Sequence, residues 1–108
     1  MTEVTNSSVA RGIHILESLF ENDFQGKTET EISKNTGIPL STVFRILKTY
    51  KSLNWVEDYP VEGSKTIVWK VCGTTLIKIS NQYEESALRK IQAIKKDYLK
   101  NTGKELTK

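Results

Sequence analysis

With 108 residues, 37% of them apolar and 27% charged, the chain has room for one soluble domain around a single modest core. A lone cysteine, Cys72, excludes an internal disulfide and a cysteine-built zinc site, and a lone histidine, His14, leaves no ligand set for a metal. The net charge of +3 is unevenly spread: one basic and four acidic residues over 1–26 (−3), seven and five over 27–70 (+2), eight and four over 71–108 (+4). That asymmetry points to a polyanionic partner or a solvated basic tail.

No apolar run reaches the roughly 18 residues that cross a bilayer, and the N-terminus has no signal-peptide core. The lone thiol suits a reducing cytoplasm, so no membrane role is expected. Residues 1–7 are polar and unpatterned, a flexible arm. The spacing predicts a first helix over about 8–20, capped by Ser7 or Ser8, with Val9, Ile13, Leu16, Leu19 and Phe20 facing inward and His14 on the surface. Asn22 to Lys27 reads as a turn. Thr28 followed by Glu31 then forms a capping box, which starts a second helix over 29–36.

Ile32, the small Ser33, Gly37 and Ile38 have the spacing of two short helices closed by a glycine turn, a helix-turn-helix pattern. The same spacing also occurs in helical hairpins of other domains. Pro39 suits the first turn of a third helix over 39–52. Its inward stripe is Val43, Ile46, Leu47, Tyr50 and Leu53, at offsets that repeat every three to four residues.

Ser41, Thr42, Phe44, Arg45 and Lys48 are left on the outer face, with Pro39 and Leu40 at its start and Lys34 on the preceding helix. Together they are the candidate DNA-binding residues. From Ile32 to Val56 the chain has four cations, Lys34, Arg45, Lys48 and Lys51, and no acid, as a phosphate-facing surface would. Phe44 could meet a thymine methyl or a sugar, or pack under the N-terminal arm or against a neighbouring copy.

Asn54 suits the left-handed end of a helix. Residues 55–59 and 66–71 then read as two strands around a turn at 60–65, a hairpin that makes the wing of a winged helix. Ser64 and Lys65 at its tip could touch phosphate, although Glu62 stands there as well. From Gly73 a long helix runs to about 101, ahead of a basic tail over 102–108. Ala87, Ile91, Ile94 and Tyr98 form a short heptad-like seam on it, for homodimerisation or for packing back on the first helix. The fold class is therefore α+β, mainly α: a winged helix-turn-helix over 8–72 and a long C-terminal helix over 73–101.

The segments SVARGIHILESL, TETEISKNTGIPLSTVFRILKTYKSLNWVE and the strand leading into VCG and TTLIKIS resemble the DNA-binding domain of IclR-type transcription factors over residues 7–80. Gly37 to Leu47 is the most specific part. The resemblance implies a recognition helix in the major groove, with contacts from Ser41, Thr42 and Arg45. Asn54 stands where the family commonly has glycine, Trp69 to Gly73 only loosely follows its tyrosine-leucine-glycine ending, and the effector-binding domain is missing. The chain accordingly reads as a small regulator of the kind that phages and mobile elements encode, or as a truncated one; Lys104 to Lys108 shows no tag or linker, which favours the former.

The expected function is sequence-specific binding of double-stranded DNA by a homodimeric cytoplasmic, nucleoid-associated regulator. A winged-helix accessory protein of replication, partition or conjugation, or a protein-interaction module, are the alternatives. No phosphate loop, catalytic set or paired carboxylates suggest an enzyme, and no cofactor is implied.

Overall fold

The computed structural model describes residues 7–106. In chain order the elements are α1 (Ser7–Leu19), α2 (Glu21–Phe24), β1 (Lys27–Thr28), α3 (Glu29–Thr36), α4 (Leu40–Ser52), β2 (Val56–Pro60), β3 (Ile67–Val71) and α5 (Gly73–Thr102). Contacts divide the chain into two compact units, with the boundary between Gly73 and Thr74. The first holds the core: Ile15, Leu19, Ile32, Ile38, Val43, Leu47, Val56, Trp69 and Val71.

The inward face of α1 differs from the expected one. Gly12, Ile15, Ser18 and Leu19 are buried, whereas Val9 is 62% and Ile13 50% exposed and Phe20 stacks on Phe24 with ring centroids 5.5 Å apart. Leu19 is buried as expected, and the small Gly12 and Ser18 flank it together with Ile15 on the inward side. A Cβ on Gly12 would lie 2.7 Å from the Tyr50 hydroxyl oxygen, so a bare backbone lets α4 approach, and Ser18 satisfies its hydroxyl by donating to the Ile15 carbonyl at 2.7 Å. Burial there pushes the Tyr50 phenol pKa up. Ser7 and Ser8 already lie within the helix and do not precede it.

The expected turn after α1 is left-handed at Asn22, Asp23 and Phe24, with φ of 53°, 58° and 59°. Asn and Asp tolerate that region better than most residues. The chain then enters a strand that no alternation of apolar residues announced. β1 pairs with β3 antiparallel, Lys27 opposite Trp69 and Thr28 opposite Val68, and β2 pairs along the other edge of β3 from Val56–Val71 to Pro60–Ile67. The sheet order is β1-β3-β2, so the wing hairpin is a three-stranded sheet anchored under α3. Lys27 is buried there, and its ammonium pairs with the Glu21 carboxylate.

At the start of α3 both halves of the expected capping box form. The Thr28 hydroxyl accepts from the Glu31 N–H at 3.2 Å, and the Glu31 carboxylate accepts from the Thr28 N–H at 2.9 Å. These bonds, the backbone N–H foremost, hold the Glu31 pKa below its ordinary value of 4.5. A depressed folded-state pKa adds stability above the unfolded value and loses it as pH falls through the folded one. Thr28→Ala should cost about 0.5–2 kcal/mol of unfolding free energy in a urea titration at neutral pH, and Glu31→Gln should flatten the acid limb of the stability curve. An unchanged midpoint for Thr28→Ala would show that α3 starts without its cap.

Gly37 ends α3 in the left-handed conformation, φ 73° and ψ 9°, and its N–H donates to the Ser33 carbonyl at 2.9 Å. Ser33 also ties the turn, its hydroxyl donating to the Ile38 carbonyl at 2.6 Å. Pro39 sits one residue earlier than expected, as the N-cap of α4, where its carbonyl accepts from the Thr42 and Val43 N–H groups, both at 3.0 Å. Val43 and Leu47 are buried and Ile46 and Tyr50 half-buried, as the stripe predicts. Leu53 is not: it is 60% exposed, because the helix ends at Ser52 and the 3.6-residue period no longer applies. Asn54 takes the expected left-handed conformation, φ 65°.

The second unit contains α5 from Thr74 onward, a helix with no buried residue. Gly103 closes it with φ 72°, its N–H donating to the Leu99 carbonyl at 2.8 Å, and Lys104 N–H bonds back to the Thr102 hydroxyl at 3.1 Å. The expected basic tail is thus tied back at its start, and residues 107–108 lie outside the described part, as do residues 1–6 of the expected arm.

Candidate nucleic-acid interface

Burying Val43 and Leu47 fixes the rotation of α4, and a period of 3.6 residues then turns Ser41, Phe44, Arg45 and Lys48 outward, with Thr42 at the edge of that face. Leu40 is 48% exposed at the head of the helix beside exposed Pro39. Lys34 is exposed in the last turn of α3. These expected contact residues of the two helices are exposed, apart from half-buried Thr42.

Their chemistry is positive and hydroxyl-rich. The Arg45 guanidinium donates to the Thr42 hydroxyl at 3.4 Å, which directs the fork along the helix surface, while Thr49 bonds the Arg45 carbonyl at 3.1 Å. The Lys48 ammonium lies 5.6 Å from the centre of the Phe44 ring. This contact gives Phe44, 41% exposed, a cationic neighbour on its own helix. Arg45 and Lys48 form no ion pair among the described residues, where the ion pairs are Lys27–Glu21 and Lys51–Asp58, although the Lys48 charge adds to the lowering of the Asp58 carboxyl pKa.

Lys51 departs from the expectation of a fourth free cation. Its ammonium pairs with Asp58 on β2 at 3.0 Å, and that hydrogen bond holds the Asp58 carboxyl below its ordinary range. The pairing depends on how β2 crosses the end of α4, which residue spacing does not encode. At the wing tip, Ser64 and Lys65 are exposed in the 61–66 loop as expected, alongside Glu62. The loop closes through the Val61 N–H to the Thr66 carbonyl at 2.9 Å and through Ser64, whose hydroxyl donates to the Thr66 hydroxyl at 2.9 Å. Lys65 lines a shallow cleft with Thr28, Glu29 and Thr30, on the side of the sheet that carries the α3 cap.

Arg11 was not among the expected site residues. It lines a cleft with Arg45, and only the observed rotation of α1 puts it there. Ala87, Ile91, Ile94 and Tyr98 belong to α5, where Ile91 is 47%, Ile94 60% and Tyr98 39% exposed. Among the described residues no three His, Cys, Asp or Glu side chains come together as a metal site, and no helix is long and apolar enough to cross a membrane.

Three helices, a left-handed turn between the second and third long ones, and a β-wing directly after the outward-facing helix define a winged helix-turn-helix domain. Residues 8–58 match the family model of the IclR helix-turn-helix domain. The match runs from α1 into β2, so the last wing strand and α5 lie beyond it.

Solved structures share the fold. The Zalpha domain of Carassius auratus PKZ in complex with Z-DNA is 24% identical, with 61% of this chain and 98% of that one covered at a TM-score of 0.52. AF1382 from Archaeoglobus fulgidus is 20% identical over 72% and 85%, TM-score 0.55. ZitR of Lactococcus lactis, a zinc-responsive MarR family member, is 16% identical over 90% and 65%, TM-score 0.52. Comparison with curated proteins gives no significant match.

Proposed function

We propose that this chain is a small transcriptional regulator that binds double-stranded DNA sequence-specifically at the cytoplasmic nucleoid, as a homodimer, with α4 in the major groove. The observation that carries this reading is the outward face of α4: Ser41, Thr42, Arg45 and Lys48 exposed or at its edge, in an acid-free stretch, on an IclR-type helix-turn-helix domain. The Zalpha domain, which shares the fold and is seen in complex with Z-DNA, supports the DNA-binding part of this reading. Arg45 and Thr42 are suited to base edges, and Lys34, Lys48 and Lys65 to phosphates.

The reading is tested by titrating a duplex at increasing salt. With Lys51 held by Asp58 and Arg45 turned to base edges, Lys34 and Lys48 give about two neutralised phosphates per monomer and a log-log slope of roughly −2, steeper by about one if Lys65 joins them. A slope near zero would favour a protein-interaction module instead.

Dimerisation rests on α5. Ile91, Ile94 and Tyr98 form an exposed apolar edge at spacings of three and four residues, continued upstream by Ala87, as in a short two-helix seam. A two-fold dimer would set two recognition helices about one turn of B-DNA apart or a multiple of it, so the selected site should be a pseudo-palindrome. Changing Ile91 and Ile94 together to Asp should yield a folded monomer in sedimentation, with weak affinity for that site. A wild type that stays monomeric at high concentration and on DNA would remove α5 from this role.

A further inference from the structure

Beside the outward face of α4 lies a cleft of about 220 Å³ lined by Ser8, Arg11, Thr42, Arg45, Ile46 and Thr49. Two guanidinium-bearing residues from different helices and three hydroxyl-bearing ones border it, and no carboxylate does. Among the described residues neither arginine has an ion-pair partner. Two uncompensated like charges sharing one small cleft are stabilised by an anion between them. Thr42 holds the Arg45 fork at its rim through the 3.4 Å hydrogen bond.

We propose that this cleft binds one phosphodiester group of the DNA backbone, with Arg11 as its principal ligand and Ser8 and Arg45 bordering it. The inference rests on the DNA-binding reading and adds a contact made by the first helix. A singly charged tetrahedral oxyanion suits a lining of two guanidinium-bearing and three hydroxyl-bearing residues without a carboxylate. Ile46 gives one wall an apolar surface, which suits the sugar carbons beside a phosphodiester better than a fully hydrated free phosphate. α1 would thereby set the register of the domain along the strand, while α4 reads the bases.

The experiment compares wild type, Arg11→Gln and Arg11→Lys in titrations of a site selected from random duplexes and of a scrambled duplex, with thermal melting to confirm that each variant folds. Arg11→Gln should weaken binding about fivefold near physiological salt, equally on both duplexes, and make the log-log salt slope shallower by about one. Arg11→Lys keeps the charge and should keep the slope. Unchanged affinity and slope for Arg11→Gln, on a wild type that binds duplex, would overturn the cleft while leaving the DNA-binding reading intact. If the wild type binds no duplex, that reading fails. The cleft is then probed with millimolar inorganic phosphate: a shift of the Arg11 side-chain resonance, lost in Arg45→Gln, keeps a phosphate site in place, and no shift overturns it too.

Discussion

Trp69→Ala should lower the unfolding free energy by about 3–5 kcal/mol, the largest loss expected from a single substitution in this chain. Trp69 is 1% exposed and sits on β3, the central strand, opposite Lys27 on one side and Asp58 on the other. Its removal opens a cavity where the sheet meets the helices, and close-packed neighbours relax only partly into such a space. The indole N–H also donates to the Glu29 carboxylate at 3.3 Å. Glu29 is half-exposed, so water can replace that partner, and the bond adds only about 1 kcal/mol.

Packing is therefore the dominant effect, and Trp69→Phe separates the two. It keeps most of the ring volume while losing the donor, and should cost clearly less than the alanine variant in the same urea titration. Equal losses for the two would mean that the hydrogen bond, not the cavity, anchors the strand. The sheet carries the wing loop with Ser64 and Lys65, so the alanine variant should also lose any contribution of the wing to DNA affinity.

Arg45→Ala should weaken binding to the selected duplex by about 1–3 kcal/mol and relax preference at one position of the site, as expected of a bidentate contact to guanine. Arg45 is exposed, its side chain donates to Thr42 on its own helix, and the Thr49 bond to its main-chain carbonyl survives the substitution, so stability should hardly change. Lys48→Ala is the matching control. A phosphate contact carries no sequence information, so its loss should be uniform across duplexes and should make the salt slope shallower by about one. Unchanged affinity and unchanged preference for Arg45→Ala would remove Arg45 from the reading role and shift the burden to Ser41 and Thr42.

Several features were legible in the residues because they depend on neighbours within one turn. Thr28 and Glu31 are three positions apart and satisfy each other's backbone whatever the rest of the chain does. Gly37 and Asn54 mark left-handed helix ends by their own conformational freedom. The period of Val43 and Leu47 places Arg45 and Lys48 outward without reference to any partner. The same local logic failed at Leu53, where the helix had already ended.

The sequence by itself thus determined the helix-turn-helix, its outward cationic face and the wing hairpin. Which edge of α1 is buried was settled only by what packs on it, since Val9–Ile13 and Gly12–Ile15–Leu19 are both plausible apolar stripes and the second wins by admitting Tyr50. β1 is two residues long, too short to show a period, and exists because β3 offers it an edge. Lys27–Glu21, Lys51–Asp58 and the Arg11–Arg45 cleft join residues on separate elements. Charge spacing along a chain cannot tell a free cation from a paired one, because the energy of a pair depends on distance in space, and that distance is set by the crossing of elements.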